Sequence, residues 1–223
     1  MRLIDRPGLK AFLFDMDGVL FDSMPYHARA WVYAFEQMGV TFDLYGAYMR
    51  EGMTGSATIN EIFQVQLGRE ATEEECRNIY RIKSDYFETL GEPQPVPHVK
   101  EVLQAVKEAG LEIHIVTGSG QLSLLDRLND SFPGFFSRDR MVTAFDVQRG
   151  KPDPEPYLMA LRKGNLQPGE AIVVENAPLG VTSALAAGIF TVAVNTGILH
   201  DNELTSRGAH LLCRDMKELL LKI

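Results

Sequence analysis

Few of the usual signs of an exported, membrane-bound or nucleic-acid-binding protein occur in this 223-residue chain. It has two cysteines, Cys76 and Cys213, too few for a disulfide scaffold and without metal-ligand spacing. Both read as packing residues, and a reducing compartment, the cytoplasm, is the expected location. No apolar run approaches the ~20 residues that a membrane-spanning helix needs, and the segment from Met1 to Gly8 carries no apolar signal core. Positive charge is in deficit, with 22 Lys and Arg against 30 Asp and Glu and a net charge of −8. That balance argues against nucleic acid or an anionic membrane as partner. Repeats and low-complexity stretches are also missing. What remains is an ordinary globular composition, 45% hydrophobic and 23% charged, on a chain long enough to bury a sizeable core.

Short apolar runs alternate with helical patterns. Ala11–Phe14, Ile113–Val116, Met141–Ala144, Ala171–Val174 and Thr191–Val194 read as strands, with a weaker one at His210–Leu212. Continuous rather than alternating apolar runs suit strands covered on both faces, as in a parallel sheet. Between them, Val99, Val102, Leu103 and Val106 share one helix face, as do Leu122, Leu125 and Leu128, then Tyr157, Leu158 and Leu161, then Val181, Ala184 and Leu185. Strand–helix alternation of this kind predicts an α/β fold, a Rossmann-like doubly wound parallel sheet. One region departs from it. From Pro25 to about Leu90 the pattern is helical only: Ala30 to Met38, Ile59 to Phe63, and a third helix opened by the capping box Thr72-x-x-Glu75. The proline-rich stretch Pro93–Pro97 follows. The expected organisation is a core from residues 1–24 and 95–223, with residues 25–94 inserted as an all-helical cap. A monomer is expected.

Polar clusters follow the strands. Asp15-Met16-Asp17-Gly18 comes after the first, Thr117-Gly118-Ser119-Gly120 after the second, Lys151-Pro152-Asp153-Pro154 after the third and Glu175-Asn176 after the fourth. In open parallel sheets, ligands bind beyond the carboxyl ends of the strands, so the four clusters should converge. Each alone fits a turn or a helix cap; four in order call for chemistry. Phosphoryl transfer fits, because dense negative charge needs cations and aligned donors. Asp15 suits the nucleophile, since a carboxylate forms an acyl phosphate without prior deprotonation. Mg2+ on Asp15 and the ammonium of Lys151 would relieve the repulsion between two anions. Thr117 and the amides of Gly118 and Ser119 would cradle phosphate oxygens at a helix N-terminus. Asp17 is left to act as general acid and base, with Gly18 making the tight turn.

The run Asp15-Met16-Asp17-Gly18-Val19-Leu20-Phe21-Asp22-Ser23 resembles the first motif of the haloacid dehalogenase superfamily. Thr117-Gly118-Ser119, Lys151-Pro152-Asp153-Pro154 and Glu175-Asn176-Ala177-Pro178-Leu179-Gly180 resemble its second, third and fourth motifs, in order and across nearly the whole core. The helical insertion resembles the cap of the β-phosphoglucomutase-like subgroup. The resemblance implies that Asp15 is the nucleophile, Asp17 the acid and base, and Thr117 and Lys151 the phosphoryl binders. Mg2+ would sit on Asp15, the Asp17 carbonyl and the fourth-motif pair Glu175 and Asn176. His27 resembles a family position at the hinge, where coupling to closure and a structural role are both open.

Two departures bear on the substrate. The fourth motif usually reads Glu-Asp, and here Asn176 supplies a neutral oxygen. In the cap, Glu51 and Gly55 stand where mutases of the subgroup place cations for a distal phosphate. A glutamate there disfavours a substrate phosphorylated at both ends. It is instead expected to reach the metal on closure, although a loop glutamate is also commonly just solvated. The stretch Glu51-Gly52-Met53-Thr54-Gly55, taken with Glu175-Asn176, resembles a branch with inorganic pyrophosphatase activity. The expected function is Mg2+-dependent hydrolysis of a small phosphorylated substrate, pyrophosphate first. The alternatives are a β-phosphoglucomutase or sugar-phosphate phosphatase and, from another class, a non-catalytic phosphometabolite-binding protein. Asp22 is expected to serve a turn or cap, Trp31, Phe35 and Met38 the cap core, and His114 a satisfied core position.

Overall fold

The computed structural model describes residues 2–119 and 122–223. Gly120, the last residue of the second polar cluster, lies outside the described residues, as do the side chains of Leu122 and Leu125. In chain order the elements are β1 (Ala11–Phe14), α1 (Met24–Glu36), α2 (Leu44–Met49), α3 (Gly55–Leu67), α4 (Glu73–Thr89), α5 (Val99–Glu108), β2 (Glu112–Val116) and α6 (Leu122–Ser131). Then follow β3 (Met141–Val142), α7 (Glu155–Gly164), β4 (Ala171–Glu175), α8 (Pro178–Ala186), β5 (Phe190–Val194), α9 (Asp201–Thr205), β6 (Leu211–Cys213) and α10 (Met216–Leu220).

All six strands form one parallel sheet in the order β3-β2-β1-β4-β5-β6. This is the doubly wound α/β architecture that the alternating pattern predicts. Side chains of β1 point alternately to two faces. Phe12 and Phe14 join Ile113, Ile115, Ile172 and Val174 under α5 and α10, while Ala11 and Leu13 join Val173 under Tyr157 and Leu161 of α7 and Ala184 of α8. Burial on both faces is what makes these strands continuous apolar runs. The third strand is shorter than its apolar run suggests: pairing stops at Val142, and Thr143 turns out to bond the carboxylate of Asp146 through its N–H at 2.8 Å.

Between β1 and α5 the chain forms four helices and no strand. Phe35, Ile59, Ile62, Phe63 and Ile79 make a separate small core there. The Thr72 capping box opens α4: its hydroxyl accepts from the Glu75 N–H, and the Glu75 side chain accepts from the Thr72 N–H. The two connectors between this insertion and the sheet are tied to each other. The Asp22 N–H donates to the Gln94 carbonyl at 2.8 Å and the Val96 N–H to the Leu20 carbonyl at 2.9 Å. Among the described residues, no helix is long and apolar enough to cross a membrane.

Candidate active site

The chain leaves β1 for β2 and β3 on one side and then crosses to β4 on the other, so β1 and β4 flank the topological switch point, where open α/β sheets bind ligands. Asp15 follows β1 and Glu175 ends β4, Thr117 follows β2, and Lys151 comes from the loop after β3. All four side chains are buried, at 4%, 0%, 2% and 3% exposure, so the charges of Asp15, Glu175 and Lys151 have little water around them and neutralise one another directly. The Lys151 ammonium donates to Asp15 Oδ1, to Glu175 Oε1 at 2.6 Å and to the Val116 carbonyl at 3.1 Å, which uses its three protons.

Burial raises the Asp15 carboxyl well above its ordinary range; Lys151 opposes this, while Glu175 and Asp17 reinforce it. Lys151, between two carboxylates, is held charged, its pKa raised against the burial penalty. Glu175 is saturated. Its Oε1 accepts from Lys151 and from the Tyr157 hydroxyl at 2.7 Å, and its Oε2 from the N–H groups of Asn176 and Ala177 at 3.0 and 3.1 Å. The sequence places Glu175 among metal ligands; in the structure every lone pair of its carboxylate already has a donor.

Asp17 sits in a second network. Its Oδ1 accepts from the Ser23 hydroxyl at 2.6 Å and lies 3.1 Å from His27 Nε2, and its Oδ2 accepts from Thr117 Oγ1 at 3.4 Å. His27 Nδ1 in turn lies 2.9 Å from the ammonium of Lys83. Burial opposes charge on Asp17, but His27, Ser23 and Lys83 outweigh it and hold the carboxyl below its usual value. Burial also drives Lys83 down to about 8, against the pull of Asp17 and Glu88, and lowers His27, with Lys83 adding to the effect. Ser23 and Lys83 are absent from the sequence-derived set. Lys83 had a signal: it lies between Ile79 and Phe87 on the buried face of α4, where a lone cation in an apolar stripe needs a partner. Ser23 had none, because a serine before a helix reads as its cap. Here it makes no cap bond and its hydroxyl turns to Asp17 instead.

The cap closes the site. Glu51, in the α2–α3 loop, is 8% exposed and accepts from Asn176 Nδ2 through both carboxylate oxygens, at 3.1 and 3.0 Å. It is therefore not the solvated loop glutamate. Burial raises its carboxyl, and Asp15, Glu175 and Asp17 push the same way. Two glycines permit the approach. A Cβ on Gly52, whose φ is +90°, would lie 2.7 Å from Lys151 Cδ, and one on Gly118 would lie 2.6 Å from the Gly52 carbonyl oxygen. Between cap and core lies a cavity of about 70 Å3, lined by Asp15, Asp17, Glu51, Lys83, Gly118 and Trp31 among others. Trp31 thus serves the site as well as the cap core, where it stacks on Phe35 at 5.6 Å. The Gly118 backbone faces this cavity, whereas the Ser119 N–H is taken by Thr117 Oγ1 at 3.0 Å.

No trio of His, Cys, Asp and Glu side chains forms a ready metal cage among the described residues. The oxygen donors on offer are mixed: the buried Asp15 carboxylate after β1, and the Asn176 amide oxygen after the neighbouring β4, which is buried and has no hydrogen-bond partner. An orphaned buried amide oxygen and a carboxylate are donor types that suit a hard cation such as Mg2+.

A parallel α/β sheet with a buried Asp–Lys–Glu centre under a helical cap fits a phosphoryl-transfer enzyme of the phosphatase or phosphomutase class. The sequence profile of the haloacid dehalogenase-like hydrolases matches residues 9–188, and the chain belongs to that family. A solved Bacteroides vulgatus protein that carries the provisional name β-phosphoglucomutase is 52% identical, with a TM-score of 0.94 over 97% of this chain and 88% of that one. Hexitol phosphatase A of Escherichia coli K12 is 33% identical over 83% of each chain. Pyrophosphatase PpaX of Oceanobacillus iheyensis is 25% identical over 95% of each.

Proposed function

We propose that the protein is a Mg2+-dependent phosphohydrolase that works through an aspartyl-phosphate on Asp15 and prefers inorganic pyrophosphate. The observation that carries the substrate is the cap carboxylate, Glu51, buried over the core on Asn176. A negative cap wall repels a second, distal phosphate unless a cation lies between them, and pyrophosphate brings such a cation with it. The cations lining the cavity, Arg50 and Lys83, already have partners: Arg50 in Glu61 and the Gly46 carbonyl, Lys83 in His27.

Asp15 and the Asn176 amide oxygen would hold the Mg2+, together with the Asp17 carbonyl. When bound, the ion would withdraw charge from the phosphoryl oxygens and from Asp15. An Asp15 carboxylate oxygen attacks phosphorus, the bridging P–O bond breaks, and Lys151 offsets the charge that gathers around the transferring group. Thr117 and the Gly118 backbone would cradle its oxygens. Asp17 is held ionised, which suits a phosphate leaving group better than a sugar alkoxide, because the former departs without a strong acid. The same carboxylate then takes a proton from the water that attacks the aspartyl-phosphate.

A second reading, a sugar-phosphate phosphatase or β-phosphoglucomutase, is favoured by the names of the relatives at 52% and 33% identity. A third, a binding protein without catalysis, has against it the complete Asp15, Asp17, Thr117 and Lys151 set. Phosphate release with Mg2+ separates them, measured on pyrophosphate, β-glucose 1-phosphate and a panel of hexose and hexitol phosphates. The expected result is the highest kcat/KM on pyrophosphate, reduced at least ~10³-fold in Asp15→Asn. A hexose or hexitol phosphate turned over more efficiently than pyrophosphate overturns the substrate; an Asp15→Asn variant with parental activity overturns the mechanism.

A further inference from the structure

We infer that Tyr157 is a positioning residue for the phosphoryl-transfer centre, acting through Glu175 to fix Lys151 beside the nucleophile. Tyr157 lies in the first turn of α7, directly after Pro154 and Pro156, and is completely buried. A tyrosine enclosed to this degree is a poor choice for packing alone, since its hydroxyl must find a partner or cost the core free energy. The partner is Glu175 Oε1, at 2.7 Å.

That oxygen is shared. Lys151 donates to it at 2.6 Å, while the other carboxylate oxygen receives two backbone N–H groups. Four donors on two oxygens define the plane and rotation of the Glu175 carboxylate completely. Lys151 is fixed in consequence, because its three protons are divided among Glu175, Asp15 and the Val116 carbonyl. The Tyr157 ring also lies 5.2 Å beneath the same ammonium, within cation–π range. One side chain therefore holds both members of the pair, the hydroxyl on the carboxylate and the ring face under the cation.

The division of labour in the fourth motif follows. The charge of Glu175 is committed to Lys151, and Asn176, with its unpartnered oxygen, is left to face a cation. Without the Tyr157 hydroxyl, Glu175 Oε1 has one donor instead of two. The carboxylate can then rotate with Lys151, and the ammonium shifts relative to Asp15. Phosphoryl transfer is sensitive to such displacement, because most of its catalysis is positioning and charge placement.

The test is Tyr157→Phe, which keeps the ring and its packing and deletes only the hydroxyl. The inference rests on phosphoryl transfer at Asp15 and not on the choice of substrate, so each assay is run on pyrophosphate and on a hexose phosphate. The parent's preference judges the substrate; the variant-to-parent ratio judges Tyr157. We expect kcat to fall about tenfold with KM changed less than threefold, and the Kd for Mg2+ alone, by titration calorimetry, to stay within twofold. In a Glu175→Gln background, Tyr157→Phe should have no further effect, as for two residues acting in series. Parental kcat in Tyr157→Phe, an equal loss in both backgrounds, or a Mg2+ affinity that weakens in step with kcat would each overturn the inference. The last would make Glu175 a metal ligand.

Discussion

Asn176 donates both of its cap-facing hydrogen bonds to one carboxylate, that of Glu51, at 3.1 and 3.0 Å. One residue belongs to the core and the other to the inserted helices, so this pair joins the two bodies at the reaction centre. Two sequence oddities thereby explain each other. An aspartate at 176 would face the Glu51 carboxylate with like charge in a buried site, which is strongly unfavourable; an amide turns repulsion into two hydrogen bonds. The expected outcome for Asn176→Asp is a cap that opens when no divalent cation is present. Amide exchange of residues 50–55 should speed up about tenfold, while Mg2+ affinity rises because the site has gained a charge. Unchanged exchange in metal-free Asn176→Asp would show that the pair does not hold the cap.

Glu51 contributes charge as well as contact, and two substitutions separate these. Glu51→Gln retains an oxygen to accept from Asn176, and Glu51→Ala retains nothing. If the charge serves to hold a substrate-borne cation, both should lower kcat/KM for pyrophosphate by roughly 10²-fold, in line with loss of a charged contact in a dry site. Only Glu51→Ala should also speed up amide exchange in the loop. Parental turnover in Glu51→Gln would reduce the residue to a latch.

The sheet and the four polar clusters are legible in the sequence because both rest on local patterns. Doubly buried strands read as short apolar runs, and the loops of the candidate site read as polar residues placed directly after them. Helix α2 escaped because six residues, Leu44–Met49, are too few to show a period; its N-cap Asp43, which accepts from the Gly46 N–H, was the remaining signal. The second network at Asp17 was half hidden for a different reason. Lys83 stands 66 residues from its carboxylate in sequence, and only the packing of α4 on α1 brings it to His27. Motif spacing brings Glu175 to the site, but does not show that its carboxylate already has four donors there.

Lys83 gives the site an alkaline limit. Its ammonium faces His27 Nδ1 while His27 Nε2 holds Asp17, and burial lowers its pKa to about 8 from 10.5. Raising the pH through about 8 removes a charge from the Asp17 network, so kcat/KM should fall with a midpoint near 8. The folding linkage runs the other way. Between about 8 and 10.5 the unfolded chain binds a proton that the folded lysine has lost, so this residue makes the fold more stable as pH rises. A fall in activity without a fall in melting temperature identifies Lys83 rather than unfolding. The limb should vanish in Lys83→Met, with activity expected to be lower at every pH; if it persists there unchanged, another group is responsible.

His114 sets an acid limit on stability, away from the site. The sequence reads it as a satisfied core residue, and the structure satisfies half of it. Nε2 meets Glu112 at 2.9 Å, while Nδ1 is buried without a partner. Burial lowers its pKa despite Glu112, so below the ordinary imidazole value of about 6.5 the unfolded chain takes up a proton before the folded one does. Stability from this residue is intact above that pH and is lost progressively beneath it. The melting temperature of the parent should drop between pH 7.5 and 5 by more than that of His114→Gln. Equal drops would assign the acid sensitivity to other groups.

Closure depends on a clearance that one methyl group removes. The Gly118 Cα faces the Gly52 carbonyl so closely that a Cβ would lie 2.6 Å from the oxygen. The obstacle is backbone, so no rotamer change relieves it. In Gly118→Ala the core can fold as before, because the collision exists only when the cap loop descends. Hence the melting temperature should remain near the parent's while kcat/KM on the preferred substrate falls by 10²-fold or more, as for lost positioning and incomplete exclusion of water. Amide exchange of residues 50–55 should rise to the level expected of Glu51→Ala. Gly52→Ala meets a softer obstacle, the Lys151 methylene chain at 2.7 Å, but adds backbone strain at a φ of +90°. Its loss should therefore appear in stability as well as in turnover. If Gly118→Ala keeps full activity, the chemistry does not require the closed arrangement, and the cavity between Glu51 and Asp15 is not where the substrate reacts.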